Sequence, residues 1–310
     1  MKARMNGIDL DLLRVFQAVA IHRGFSAAQD ALNSTQSAIS MNMARLESRL
    51  GVRLCERGAK GFRLTAHGQL VLRSAERLFV AVDEFRSDTE RVKGRIAGTL
   101  RVGIVDNVSF NPEYRLPEAL LALSQAFPEL SVSMFVGAPL ELEERLLDGR
   151  IQVAVGLFHR QVPALMYQPH FSEEHQIFCG AAHPFYALPD EAVTDAALKS
   201  ANYVGRDYLE DFKPIQAPLA LRPVASSGYM EGLANLILSG AYIAYLPTHY
   251  GGVWASQGKM RAIRPIDFAR RATIYVVHRR ARAIAPELRA FLDTVRRLRQ
   301  PAHARKHHRA

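Results

Sequence analysis

The chain has 310 residues, of which 48% are hydrophobic and 23% are charged, and its formal net charge is +10. This composition is typical of globular protein with two or three domains and excludes a disordered chain. No apolar run approaches the roughly 18 residues of a membrane span, and the first residues lack the apolar stretch of a signal peptide, so we expect a cytoplasmic protein with no membrane partner.

The charge is unevenly distributed along the chain. Residues 1–97 carry a net charge of +6, residues 98–278 carry −4, and residues 279–310 carry +8. A basic first part suggests a polyanionic partner such as DNA, although a basic surface that only aids solubility is the alternative. The last segment, 301–310, is predicted to be a flexible basic tail that adds nonspecific attraction to nucleic acid.

The first 60 residues predict three short helices. The spacing of apolar residues indicates a helix over about 10–23, a second from a Ser26 cap to about residue 32, and a third capped by Ser34 or Thr35. The core positions of the third helix are expected to be Ile39, Met43, Leu46 and Leu50. Its opposite face is polar and carries no acidic residue before Glu47, as a helix that enters the major groove requires, whereas an ordinary solvated face is the alternative.

Residues 51–65 follow with two short apolar runs around a loop rich in Gly and Lys. This pattern predicts a β-hairpin wing, whose cations would contact the DNA backbone and supply affinity more than sequence information. The candidate DNA-binding residues of the helices and the wing are Ser26, Thr35, Gln36, Ser37, Ser40, Met41, Arg45, Arg57, Lys60 and Arg63.

Residues 67–97 predict one long connecting helix. Apolar residues recur along it at alternating spacings of 3 and 4 over three heptads, which favours pairing with the same helix of a second copy. Packing against the chain's own second domain is the alternative. The candidate dimerisation residues are Val71, Leu78, Val82 and Phe85.

Residues 98–300 alternate between predicted strands and helices, which indicates a parallel α/β sheet covered by helices. The order predicts two lobes joined by two crossings, with lobe I at 98–163 and 268–300 and lobe II at 164–267. Ligand clefts form between such lobes, at strand ends and helix N-termini.

The cleft is predicted to bind a small-molecule effector. Ser226 and Ser227 would cap a helix over 228–239 whose free N–H groups favour an anion, and Arg206 could pair with a carboxylate. Each candidate could instead be a turn former, a cap or a surface group. The candidates are Asp106, Asn107, Ser109, Gly137, Ala138, Gly205, Arg206, Ser226, Ser227, Thr248 and His249.

The sequence lacks the common motifs of disulfide-rich proteins, metal-binding proteins and enzymes. Cys55 and Cys179 lie far apart without a CxxC spacing, so neither a disulfide framework nor a cysteine metal site is expected. A protein with so few cysteines is expected in a reducing compartment. No phosphate loop, HExxH or GxSxG motif occurs. We therefore expect no enzyme activity, no cofactor and no metal.

The order of these residues resembles the LysR-type transcriptional regulators along nearly the whole chain. The resemblance is carried by Phe25-Ser26, Thr35-Gln36-Ser37-Ala38-Ile39-Ser40, Arg45-Leu46-Glu47, Leu50-Gly51, Arg63-Leu64-Thr65, Gly98-Thr99-Leu100-Arg101-Val102-Gly103, Phe127-Pro128, Val153-Ala154-Val155 and Ile243-Ala244-Tyr245-Leu246-Pro247. The chain departs from that pattern at Gln29, Met41, Gln152 and Tyr242, and in a loop at 106–113 that is about three residues longer than the family's usual one.

The resemblance implies an α/β chain with an N-terminal winged helix-turn-helix domain at 1–66, a linker helix at 67–97, and a two-lobed effector-binding domain of the periplasmic-binding-protein type at 98–300. It implies a ligand-responsive, sequence-specific regulator of transcription that binds double-stranded DNA as a homodimer or homotetramer and acts on RNA polymerase. A two-lobed solute-binding protein without a regulatory role is the alternative.

Overall fold

A computed structural model describes residues 9–56, 61–92, 96–207, 219, 221–281 and 284–299. Arg57, Lys60 and the basic tail at 301–310 lie outside the described residues. The chain divides into two compact units, Met1–Arg86 and Ser87–Ala310. This division falls inside the long connecting helix, which the sequence analysis treated as a segment of its own.

The first unit contains three short helices, a small hairpin and the start of a long helix. Its elements are α1 (Leu10–Ile21), α2 (Gln29–Leu32), α3 (Gln36–Leu50), β1 (Cys55–Glu56), β2 (Arg63–Leu64) and α4 (Ala66–Val92). The two strands pair antiparallel, as the predicted wing requires.

The core of this unit forms where the apolar faces of its helices meet. Phe16 of α1 and Ile39 of α3 are fully buried, and Met43 and Leu46 pack with them. Leu50 was expected in this core but is 39% exposed, because it lies in the last turn of α3, beyond the helices that cover the other three positions.

Two predicted helix boundaries were wrong. The helix α1 ends at Ile21, since Arg23 has a positive φ of 51° and the chain turns there. The helix α2 begins at Gln29 and not at Ser26, because residues 24–28 form turns and the Ser26 carbonyl accepts the Gln29 N–H at 3.3 Å.

The first half of α4 belongs to the core of the first unit. Gly68 lets the helix approach Leu54 so closely that a Cβ at this position would lie 1.9 Å from the Leu54 carbonyl oxygen. Ala75 is buried in the core, and Val71 and Leu78 pack against it. The unit's own helices cover Val71 and Leu78 only in part, so the expectation that these two residues also face a second copy stays a prediction.

The second unit consists of strands and helices that alternate along the chain, as the sequence predicts for an α/β domain. Its strands are β3 (Gly98–Ile104), β4 (Leu130–Val136), β5 (Val153–Leu157), β6 (Leu165–Gly180), β7 (Tyr203–Gly205), β8 (Pro223–Ser226), β9 (Ile243–Pro247), β10 (Met260–Ala262) and β11 (Arg270–Arg279). Its helices are α5 (Leu116–Ala126), α6 (Pro139–Leu147), α7 (Asp195–Ser200), α8 (Met230–Leu238), α9 (Thr248–Ala255), α10 (Pro265–Phe268) and α11 (Pro286–Arg299).

In the part of the chain that the structure describes, these nine strands form one sheet in the order β4-β3-β5-β11-β6-β9-β7-β8, with β10 also paired to β6. The strands β3, β4 and β5 are parallel in lobe I, and β7 is parallel to β8 and β9 in lobe II. The strands β6 and β11 are antiparallel to each other over ten residues of β11, and they join the two lobes.

The predicted lobe boundary at residue 164 was wrong because β6 is one continuous strand of 16 residues. Its first residue, Leu165, is buried in lobe I with Leu142 and Leu146 of α6. Its last residues pair with β9 and β10 in lobe II. The connection between the lobes is thus a pair of long hydrogen-bonded strands, β6 and β11.

Candidate nucleic-acid interface and candidate ligand cleft

The outward side of α3 carries the side chains that the sequence analysis assigned to DNA. Gln36, Ser37, Met41 and Arg45 are exposed, and Ser40 is half-buried; together they are named the reading face here. Met41 is 72% exposed although it is apolar. This face presents amide, hydroxyl, thioether and guanidinium groups, which suit contacts with base edges and phosphates.

The N-terminus of α3 is held by two side chains. Thr35 caps it as predicted, with its Oγ1 accepting the Ala38 N–H at 3.3 Å. Gln29 provides a second bond, since its Oε1 accepts the Gln36 N–H at 3.0 Å while its Nε2 donates to the Ser26 carbonyl at 3.2 Å. Gln29 was noted in the sequence only as a departure from a family pattern, and its positioning role was missed.

The wing and the turn before α2 carry the remaining candidates. Arg63 lies on β2 with its side chain 74% exposed, and its Nε donates to Glu56 Oε2 at 2.6 Å. An exposed pair of this kind contributes little to stability, so a phosphate could replace Glu56 as the partner of Arg63. Ser26 is exposed in the turn and does not cap a helix.

A cavity of about 20 Å³ lies between the two lobes of the second unit, enough for about one water molecule. It is called the inter-lobe cavity below. The residues that line it are Val105, Asp106, Asn107, Val108, Pro139, Leu157, Glu173, His175, Arg206, Gly228 and Met230. The lining thus includes Asp106, Asn107 and Arg206 from the sequence prediction.

The loop after β3 carries Asp106 across to the N-terminus of α8. An oxygen of the Asp106 carboxylate accepts the backbone N–H of Met230, the first residue of α8. This corrects the prediction that Ser226 and Ser227 head the helix with free N–H groups. The residue before α8 is Tyr229, and Ser226 ends β8. The Ser227 hydroxyl bonds to the backbone of Tyr229, and the Ser227 N–H donates to the Gly205 carbonyl at 3.2 Å.

Burial shifts the pKa of Asp106 in the cavity lining and of His159 outside it. Burial raises the pKa of Asp106, an effect that the Met230 N–H and the Arg206 guanidinium oppose. Burial lowers the pKa of His159 to about 4, and Arg206 adds to the effect. Arg206 therefore exerts its charge on both groups.

Glu173 and His175 of β6 complete the charged lining, although neither was predicted from the sequence. The Glu173 side chain is 6% exposed, and its Oε1 lies 2.7 Å from His175 Nε2. The first half of β6 was not recognised as a strand, so these residues had no predicted position. The two residues are separated by one position, and residues at that spacing in a strand point to the same side of the sheet.

His249 lies next to the cavity and not in its lining. Its Nδ1 is 3.4 Å from the Nδ2 of Asn111, a residue of the loop after β3, and burial lowers its pKa. The other predicted residues lie outside the lining and form turns or element ends. They are Ser109, Gly137, Ala138, Gly205, Ser226, Ser227 and Thr248.

A larger surface hollow of about 420 Å³ lies in lobe II beside Arg264 and Ile266. Arg264 already holds Asp195 at 2.5 Å and Asp267 at 2.7 Å. Because its cation is fully engaged with two carboxylates, this hollow offers less to a charged ligand than the inter-lobe cavity does.

Two searches of the described residues bear on other kinds of site. They contain no group of three or more His, Cys, Asp or Glu side chains that could hold a metal ion. None of the helices they form has both the length and the apolar character needed to cross a membrane.

Comparison with known proteins identifies relatives of both units. Residues 10–69 match the family described as "Bacterial regulatory helix-turn-helix protein, lysR family", and residues 93–300 match "LysR substrate binding domain". The "HTH-type transcriptional activator BauR" of Pseudomonas aeruginosa is 32% identical over 292 residues, which cover 94% of this chain and 96% of that protein. The "SDS degradation transcriptional activation protein" of a Pseudomonas species is 33% identical over 73% of this chain and 72% of its own length.

Among solved structures, full-length CbnR in a complex with its target DNA shares the fold. It covers 94% of this chain and 100% of its own chain, with a TM-score of 0.65 and 22% sequence identity. The winged helix-turn-helix head and the two-lobed α/β unit are therefore a known combination.

Proposed function

The chain belongs to the LysR family of transcriptional regulators, which are ligand-responsive DNA-binding proteins and not enzymes, and we propose that its reading face recognises the operator while its inter-lobe cavity receives the effector. The observation that carries the DNA half of this proposal is the exposed side of α3, where Gln36, Ser37, Met41 and Arg45 project together. The alternative of a solute-binding protein without a regulatory role loses its basis, because the relatives are named as regulators of transcription.

The DNA contacts divide by chemistry. Gln36 is proposed to pair with an adenine edge, and Met41 is proposed to contact a thymine methyl group, because these groups match in the major groove. Arg45, Arg63 and the wing residues Arg57 and Lys60 supply phosphate contacts. Thr35, Ser37, Ser40 and Ser26 complete the proposed interface with hydroxyl groups.

Gel-shift titration of the full chain on DNA upstream of its own gene tests the proposed DNA contacts. We expect Gln36→Ala to lower discrimination against a changed base pair by about 1–3 kcal/mol. We expect Arg45→Ala to weaken binding to all sequences and to reduce the slope of log affinity against log salt by about 1.

The matched control is Arg14→Ala. Arg14 lies on α1, pairs with the exposed Asp11 and contacts the ring of Phe79. Its loss should leave the salt slope unchanged. Failure of the unsubstituted chain to bind such DNA at low salt, or equal slopes for Arg45→Ala and the unsubstituted chain, would contradict the proposal.

A dimer through α4 is proposed from the part of its apolar stripe that the first unit leaves open. Val82 is half-buried and Phe85 is 69% exposed. Two copies paired along this part would align two reading faces with two successive major grooves. A homotetramer needs a second surface, and the edge strand β4 offers one, because Val132, Met134 and Val136 are exposed there.

The effector is proposed to bind between the lobes, with its carboxylate paired to the guanidinium of Arg206. Binding would change how the lobes meet along β6 and β11, and thereby the spacing of the two heads on DNA. We propose RNA polymerase as the partner that responds to this change, and the cytoplasm as the location, because both DNA and polymerase are there in bacteria.

A further inference from the structure

The lining of the inter-lobe cavity contains more carboxylates than guanidinium groups. Asp106 and Glu173 are the carboxylates of its lining, and Arg206 is the guanidinium. Beyond the lining, Glu231 acts on Asp106 as a further negative charge. His175 also lines the cavity, where its Nε2 lies 2.7 Å from Glu173 Oε1. The neighbouring imidazoles of His159 and His249 do not offset the negative charge, since burial lowers the pKa of both rings and favours their neutral form.

The helix N-terminus at this cavity is already occupied. A helix N-terminus attracts anions because its first N–H groups and its dipole favour negative charge. Here the Asp106 carboxylate accepts the Met230 N–H, so the protein supplies that anion itself. An effector carboxylate at the same point would approach Asp106 and meet repulsion between like charges.

Glu173 is a second reason to expect a cationic group of the effector at this end of the cavity. Its carboxylate is almost fully buried and bonds to His175 at 2.7 Å. A buried carboxylate is costly unless charged or hydrogen-bonding groups compensate it. An ammonium group near Asp106 and Glu173 would add to the compensation that Met230 and His175 already provide, whereas a second anion would add to the cost.

From this charge pattern we propose that the effector is a short aminocarboxylate, with its ammonium group bound by Asp106 and Glu173 and its carboxylate by Arg206. The inference rests on the proposed function, because it names the ligand of the same cavity. Val108, Leu157 and Met230 lie in the same lining and offer apolar surface to a short methylene chain. Because the cavity has a volume of only about 20 Å³, the lobes must part to admit the ligand.

Isothermal titration calorimetry of the full-length protein tests this assignment. The probes are straight-chain ω-aminocarboxylates of increasing length and small α-amino acids, each matched with the carboxylate that lacks the amine and with the amine that lacks the carboxylate. We expect one aminocarboxylate to bind about 10-fold or more tightly than either of its matched partners, as the loss of a charge-assisted bond implies. Equal affinity for the plain carboxylate, or binding by no aminocarboxylate of the series, overturns the inference.

Charge-changing variants identify which group binds which end. Asp106→Asn keeps an oxygen that can accept the Met230 N–H but removes the charge, so it should weaken aminocarboxylate binding about 10-fold and leave carboxylate binding no weaker. Glu173→Gln should act in the same direction. Arg206→Gln should weaken binding of both ligand classes. Unchanged discrimination between the two classes in Asp106→Asn and Glu173→Gln overturns the assignment.

Matched controls separate charge at the cavity from charge elsewhere. Asp293→Asn and Arg115→Gln change the same residue types at exposed ion pairs, with Arg296 and Glu118 respectively. Both should bind ligand like the unsubstituted chain. Gel shift without ligand distinguishes the two levels of the proposal: DNA binding without any aminocarboxylate binding rejects the ligand class alone, and absence of DNA binding rejects the proposed function.

Discussion

At the scale of single residues, the side chains that depart from the family pattern have local structural roles. Gln152 is 7% exposed, its Oε1 accepts the Arg101 N–H at 2.9 Å, and its Nε2 donates to Glu287 Oε1 at 2.9 Å. An acidic residue at this position would place two carboxylates side by side in a buried setting, so the neutral amide suits the buried Glu287. Gln29 similarly gains a role as the second support of α3.

Replacing Gln29 with alanine removes the acceptor of the Gln36 N–H. We expect the N-terminal turn of α3 to lose about 1 kcal/mol, which corresponds to about 5-fold faster amide exchange there, because a helix cap bond contributes that much. Hydrogen exchange of the full chain, read by mass spectrometry on the peptide that contains the start of α3, measures the effect.

The control for this variant is Gln69→Ala, which changes an exposed glutamine on α4. It should leave exchange at the start of α3 unchanged. Protection that stays the same in Gln29→Ala would show that Thr35 alone holds the turn.

At the scale of the elements, the first and second halves of α4 have different surroundings. Its first turns complete the core of the first unit through Ala75, with Val71 and Leu78 packed beside it. Its apolar stripe then continues to Phe85, which is largely exposed. A large exposed aromatic on a continuous apolar stripe indicates a partner surface, so the dimer proposal now depends on Val82 and Phe85.

Phe85→Glu is expected to weaken the dimer and leave the fold of the first unit intact. Burial of a phenylalanine side chain contributes about 1.5–3 kcal/mol, and a symmetric dimer buries two, so the dissociation constant should rise about 100-fold or more. Sedimentation velocity over a range of protein concentrations measures this change.

Ile266→Glu provides the control, because it also replaces an exposed apolar residue with glutamate. Ile266 lies in lobe II and is 95% exposed. Its dimer should dissociate at the same concentration as the unsubstituted protein. An equally stable dimer in Phe85→Glu would rule out pairing through this part of α4.

At the scale of the whole effector unit, the long loop after β3 joins the two lobes. It brings Asp106 to the N-terminus of α8, Asn111 to within 3.4 Å of His249, and the Phe110 ring to 5.8 Å from the Tyr250 ring. Each of these contacts connects lobe I to lobe II. The residues that lengthen this loop are therefore part of the contact that keeps the inter-lobe cavity small.

The charge of Asp106 makes effector binding depend on pH. Its pKa is raised by burial, with Arg206 opposing and Glu231 adding to the rise, so it takes up a proton at a higher pH than an ordinary aspartate. As the pH falls, the carboxylate is neutralised and attraction for an ammonium group is lost. We expect aminocarboxylate affinity, measured by calorimetry, to decrease from neutral toward mildly acidic pH.

Asp106→Asn should lack this decrease, since it has no proton to gain. Glu173 and His175 also face the cavity. A pH profile that is identical in the variant and the unsubstituted chain would rule out Asp106 as the source of the dependence.

The sequence by itself determined the winged head, the long helix and the two α/β lobes, because these follow from local periodicity, caps and turn residues whose signals lie within a few residues of each other. It also identified the reading face, since the buried and exposed sides of one helix are fixed by a 3.6-residue repeat. The cavity was predicted only in part. Asp106, Asn107 and Arg206 follow strand ends, where ligand sites of α/β sheets are expected.

Only the tertiary structure decided the rest. Glu173 and His175 come from the middle of a long strand, and Met230 meets Asp106 from 124 residues away in the chain. The same holds for Val71 and Leu78, whose spacing fits a partner helix and a core equally well. Whether a partner helix or the core covers them depends on contacts between distant segments, which a local sequence pattern cannot predict.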